Sequence, residues 1–232
     1  ATTVTATTTD ASNDTIVFSD TVNATTLNLD GAGIFTLGGD VTAIVDFGAD
    51  ATATVAANKK IVGIVTGVNN TGTLTFATTT ASTTLASTHV GQAADDELKA
   101  LNIVVADAAM ANSTGVVGTI GGNVFATTVN ATATLATDGE GDGDTVAFNG
   151  TVTATTLNVA GLGTVTAAEN VTAAVVLADG TDGTGTFSVA ANKIVAGSIT
   201  TATAGDGTAT FAEATTDVTL VNGAVGAAGG SK

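Results

Sequence analysis

ATTVTATTTD ASNDTIVFSD TVNATTLNLD GAGIFTLGGD VTAIVDFGAD, residues 1–50, closes every block of ten on an aspartate: Asp10, Asp20, Asp30, Asp40 and Asp50. Before each aspartate runs a short stretch rich in Thr, Val, Ala, Ile, Leu or Phe. Apolar and β-branched residues suit a strand, and an acidic or glycine turn suits the corner that ends it. Two such runs per lap give a coil of about twenty residues, the repeat scale of a solenoid turn. The beat continues through 61–120 and returns over 151–214, with slack taken up at Gly- and Asp-rich corners. Eleven parallel laps at the inter-strand spacing of about 4.8 Å would make a rod of roughly 50 Å.

A longer repeat overlies the short one. Asp14-Thr-Ile-Val-Phe-Ser-Asp-Thr-Val-Asn-Ala-Thr-Thr-Leu-Asn28 returns as Asp144-Thr-Val-Ala-Phe-Asn-Gly-Thr-Val-Thr-Ala-Thr-Thr-Leu-Asn158, with ten of fifteen positions identical. Val55-Ala-Ala-Asn-Lys59 returns as Val189-Ala-Ala-Asn-Lys193, Gly72-Thr-Leu-Thr-Phe76 as Gly207-Thr-Ala-Thr-Phe211, and Ala1-Thr-Thr-Val4 as Ala126-Thr-Thr-Val129. The chain therefore divides into a first unit, 1–91, an inter-repeat segment, 92–125, and a second unit, 126–232, which has no counterpart to residues 92–125 at its C-terminal end. Ala93-Ala-Asp-Asp-Glu-Leu-Lys-Ala100 has the density of helix formers, and the acidic start and basic end, that predict a short helix. The fold expected is all-β, a parallel β-solenoid with internal duplication. Two tandem β-sandwich domains of about 110 residues are the alternative, since they too give a duplicated set of short strands.

Composition narrows function. The formal net charge of −16, with five lysines and no arginine, leaves no basic surface to neutralise phosphates, which argues against nucleic acid and anionic lipid as partners. No run of eighteen apolar residues predicts a membrane-spanning helix. Without cysteine there is neither a disulfide framework nor a thiolate metal site. The chain begins at Ala1 without a methionine, as a processed, secreted protein would. His89, the sole histidine, reads as a solvated corner residue, and no nucleophile elbow or phosphate-cradling loop accompanies it, so no enzyme is expected.

The sharpest local cluster is Asp138-Gly-Glu140-Gly-Asp142-Gly143-Asp144. Acidic side chains at alternate positions, with a glycine at the sixth, match the front half of a calcium loop, so Asp138, Glu140, Asp142 and Asp144 are the candidate Ca2+ ligands. Asn149 stands where the bidentate glutamate would be, and the competing reading is an acidic corner. Asp179-Gly-Thr-Asp182-Gly183 and Gly205-Asp206-Gly207 read as plain turns. Thr-x-Thr recurs at Thr3, Thr73, Thr132, Thr151 and Thr208. Aligned on one face, such threonines would present a regular array of hydroxyls and methyls able to match ice or a carbohydrate; scattered, they are ordinary exposed strand residues.

Leu98-Lys-Ala-Leu-Asn-Ile103, Gly122-Asn-Val-Phe-Ala-Thr-Thr128, Gly72-Thr-Leu-Thr-Phe76 and Val189-Ala-Ala-Asn-Lys-Ile-Val-Ala-Gly-Ser-Ile199 resemble the repeat vocabulary of rickettsial outer-membrane protein B-type passengers. The resemblance implies a secreted β-solenoid that coats a bacterial surface and acts in adhesion. The chain is short for such a passenger and carries no C-terminal membrane β-barrel. The function expected is an extracellular structural protein that polymerises with itself into a surface layer or filament. Unpaired end strands, residues 1–9 and the last coil beyond Gly226, would complete a neighbour's sheet. The alternatives are an adhesin-type module binding glycan, host surface or ice through its threonine faces, and a virus structural or decoration protein.

Overall fold

Threonine alternates with Gly, Leu and Phe from Thr71 to Phe76, and through Thr71–Thr78 Gly72, Leu74, Phe76 and Thr78 point inward while Thr71, Thr73, Thr75 and Ala77 point outward. That period of two recurs in strand after strand and defines the architecture. The computed structural model describes residues 2–9, 14–68, 70–92, 96–106, 115–134, 143–177, 179–180, 183–202, 207–212 and 220–226. Among them there is no helix, and every strand of the two large sheets pairs in parallel with the strand one lap before or after it. Parallel stacking in sequence order is a β-solenoid, and it excludes the sandwich alternative, whose sheets are antiparallel. The one antiparallel pair described is the small Asp179–Gly180 and Gly183–Thr184 hairpin.

Each lap has three walls, although it is written as only two strand-like runs. The first wall carries Thr15–Phe18, Ile34–Leu37, Thr52–Val55, Thr71–Thr78 and Leu98–Val105 in successive laps. Val22–Asp30 then covers two walls. Val22 pairs with Val41 on the second, Leu27 pairs with Val45 on the third, and the register slips between Asn23 and Thr26 where the strand bends. One residue per lap builds an inward ladder on the third wall: Leu27, Val45, Val65, Val90, Val124, Val152, Val171 and Val195. All eight are fully buried. The first wall answers with Leu74, Leu101, Val129, Leu157, Val175 and Ile199. The core is this narrow column of Val, Leu and Phe, and each residue packs chiefly on its partners in the laps above and below.

The duplicated units lie in one continuous stack, one wall apart. Thr15–Phe18 is on the first wall, but its twin Thr145–Phe148 is on the second, above Val117–Ile120 and Thr83–Ala86. Val22–Asp30 spans the second and third walls, whereas its twin Val152–Ala160 spans the third and first: Val152 pairs with Val124 and Val171, Leu157 with Val129 and Val175. The bend is kept, with the register slip now between Thr153 and Thr156. Counting along the first wall from Thr15, the laps return at Ile34, Thr52, Thr73, Ala100 and Thr128, and Thr145 follows on the next wall. The unit is thus five laps plus one wall, so its copy comes round displaced.

Backbone geometry confirms the equivalence. Gly31 and Gly161 both hold φ 87°, and a Cβ on either would lie 2.0 Å from the carbonyl oxygen of Thr8 or of Ala133. Gly63 and Gly197, at φ 149° and 156°, are pressed in the same way on the carbonyls of Ala43 and Ala173. Only glycine fits these four corners.

Three expectations are corrected. The helix predicted over 93–100 is not formed across its second half: Leu98–Val105 is a strand, and residues 93–95 lie outside the described residues. Helix propensity is overridden because this segment is paired on one edge by Thr71–Thr78 and on the other by Val124–Ala133. The laps are also less even than twenty residues. Asp46 and Thr66 on adjacent laps are 20 apart, but Asn102 and Asn130 are 28 apart. Longer laps mean fewer of them: among the described residues nine strands rather than eleven stack on the first wall, a height of about 40 Å.

Candidate functional site

Of the four residues proposed for calcium, Asp138, Glu140 and Asp142 lie outside the described residues, and Asp144 is fully buried in the corner before Thr145–Phe148. Its Oδ1 accepts the Val116 N–H at 2.9 Å and its Oδ2 accepts the Thr134 hydroxyl at 3.0 Å. Its own N–H donates to the Thr134 carbonyl, and its carbonyl accepts from Thr164. Asp14, its twin, does the same work in the first unit. There Oδ2 accepts both the N–H and the hydroxyl of Thr9, at 2.8 and 3.0 Å. The repeated aspartate is therefore a corner clamp, in which a charged acceptor satisfies donors that the turn leaves without backbone partners.

Other corner side chains tie one lap to the next. Asp40 Oδ1 accepts the Lys60 N–H at 3.2 Å, and Asn170 repeats the contact on Ile194 at 3.1 Å. Asn123 Oδ1 accepts the Thr151 N–H at 3.0 Å. His89 is on a corner, as its sequence context predicts, and its Nδ1 accepts the Asn123 N–H at 3.0 Å. Asp20 caps the following residue, Thr21, at 2.7 Å, and Asp50 pairs with Lys99 at 2.6 Å. Asp10 lies outside the described residues. Asp179, read as a turn residue, forms the start of the small hairpin, while Asp206 lies outside the described residues. Among the described residues no group of three or more His, Asp or Glu side chains converges in a way that could hold a metal ion.

Two outward features emerge only from the stacking. Asn158 donates to Asn130 and Asn130 to Asn102, each at 2.7 Å, and Asn102 donates to Thr75 at 3.2 Å. This amide ladder runs up the first wall, and its only sequence signal is one Asn per strand at a 28-residue interval. The second feature is the alignment of threonines. On the first wall Thr36, Thr54 and Thr75 fall in one rank and Thr52 and Thr73 in the rank beside it. On the second wall the ranks are Thr164, Thr186, Thr208 and Thr166, Ser188, Thr210. Of the recurrent Thr-x-Thr pairs, Thr73 and Thr208 thus open aligned pairs. Thr3 begins the strand Thr3–Thr7 on the third wall, Thr132 lies on the first wall between Val104 and Ala160, and Thr151 is a corner residue.

No family model matches this chain, and neither a curated protein nor a solved structure matches it.

Proposed function

We propose that this chain is an extracellular structural protein that associates end to end with copies of itself into a bacterial surface layer or filament. One observation carries the reading: the strands at the ends of the stack have internal twins that accept neighbours on both edges. Among the described residues Thr15–Phe18 is paired only with Ile34–Leu37, yet its twin Thr145–Phe148 lies between Val117–Ile120 and Thr164–Ala167. Among the described residues Thr208–Phe211 is paired only with Thr186–Val189, yet its counterpart Thr71–Thr78 is covered by Leu98–Val105 as well. The same side chains that line these edges therefore already support continued stacking. Edges of this kind have backbone N–H and C=O groups to complete and recruit strands from another chain. A narrow column of stacked Val, Leu and Phe suits architecture better than catalysis, and His89 is engaged in holding two laps together.

Negative-stain microscopy over a concentration series tests the reading. The full chain is expected to form fibres or sheets, and a chain lacking residues 1–9 is expected to stay monomeric while keeping its β circular dichroism. Unchanged assembly after the deletion, or monomers of the full chain at every concentration, would contradict it. Calcium, read for residues 138–144 from their spacing, is tested in the same series: if it is bound there, a chelator shifts the melting temperature.

A further inference from the structure

The two threonine arrays are the same sequence element seen twice. Thr36, Thr52, Thr54, Thr73 and Thr75 correspond through the internal duplication to Thr166, Thr186, Ser188, Thr208 and Thr210. The one-wall displacement puts the first set on the first wall and the second set on the second wall. In both, the strands are in register without a bulge, so the hydroxyls form a two-dimensional grid. Its spacings are those of a parallel sheet, about 4.8 Å from lap to lap and about 6.6 Å between alternate residues of one strand.

From these grids we infer that the protein adsorbs to ice through two separate faces that point to different sides of the rod. Tetrahedral water with an O···O separation of about 2.75 Å repeats at about 4.5 Å and about 7.3 Å. The lap spacing differs from the shorter repeat by about 0.3 Å, a drift that stays small over only three laps, and the longer repeat is crossed once. Threonine offers such a lattice a hydroxyl to join it and a methyl to fill its hollows. Charge and composition select this occupant. Neither array contains a charged side chain, although the chain carries −16; ion pairs, Lys99–Asp50 and Lys193–Glu169, stand at the borders. A neutral lattice is therefore favoured over an anionic polymer. A sugar polymer would want an aromatic face to stack on, and the chain has no Trp or Tyr, while Phe35, Phe76 and Phe187 are fully buried. Because the faces lie on different walls, one ice plane engages one of them at a time.

The test is partition of the full-length chain into a slowly growing ice front, beside a non-binding control protein. Thr54→Lys and its twin Ser188→Lys each place a charge in one array without touching the core. Wild type is expected to be enriched in ice severalfold over the control, each single variant to keep roughly half of that enrichment, and the double variant to fall to the control level, all with wild-type melting curves. Wild type at the control level would overturn the inference, as would a double variant that adsorbs like wild type. Loss of all adsorption in one single variant would overturn the two-face arrangement. Retention on insoluble neutral glucan, abolished by the double substitution while ice uptake stays at the control level, would reassign the faces to a polysaccharide and overturn ice as the ligand.

Discussion

A chain carrying Leu101→Asp is expected to lose about 5 kcal/mol of stability and to unfold in two thermal steps in place of one. Leu101 is fully buried and stands in the first-wall ladder between Leu74 and Val129. Truncating a buried leucine alone costs about 2–5 kcal/mol, and an unpaired carboxylate in the same column adds the penalty of a charge without a partner. Location decides the form of the loss. Leu98–Val105 belongs to the lap that joins the first unit to the second. Stability in a stacked repeat is a sum of nearest-neighbour terms, so breaking this junction leaves two shorter stacks that melt apart. Calorimetry would show the split, with the lower transition about 10–20 °C below the wild-type midpoint. A single transition within a few degrees of wild type would mean that Leu101 is not in the core.

The second large effect is expected at Asp144, where Asp144→Ala should cost about 3 kcal/mol, against about 1 kcal/mol for Asp14→Ala. Both aspartates clamp a threonine at the same point of the repeat. Asp144, however, is fully buried and also accepts the Val116 N–H, so its removal leaves that buried donor, and the half-buried Thr134 hydroxyl, without an acceptor. Asp14 is only half-buried, and the donors of Thr9 are exposed and can turn to solvent. Chemical denaturation of the two variants measures the difference directly. Equal losses would contradict the burial argument.

These expectations draw on features that were unequally legible in the sequence. Alternation and the aspartate beat carry the strands and their corners, and the match of 14–28 to 144–158 carries the duplication, because both are local patterns of residue type. The third wall is not local. Val22–Asp30 reads as one strand, and its bend between Asn23 and Thr26 is marked by neither Gly nor Pro. The wall displacement is hidden for the same reason: it depends on counting walls across 92–125, a segment whose strand looks like a helix until its two neighbours are placed beside it. The lysine and asparagine partners were also out of reach. Lys99 meets Asp50 from 49 positions away, and Asn130 meets Asn102 from 28, distances that only the stacking register converts into contact. The Asp14 and Asp144 clamps show a further limit. An acidic residue in a Gly-rich stretch suits a cation and a corner equally well, and only the donors around it distinguish them.

The central claim is that the two units share one rod with the second turned by one wall, and paired cysteines test it most directly. The native chain has none, so each engineered pair is the only thiol pair present. Thr119 and Ala147 are outward register partners on the second wall, at the parallel spacing of about 4.8 Å that a disulfide tolerates. Asn130 is on the first wall, beside Asn102 and Asn158. Under mild oxidation, Thr119→Cys with Ala147→Cys is predicted to cross-link within the monomer, and Asn130→Cys with Ala147→Cys is not. If the second unit instead repeated the first on the same wall, Ala147 would stand over Asn130's wall, and the outcome would reverse.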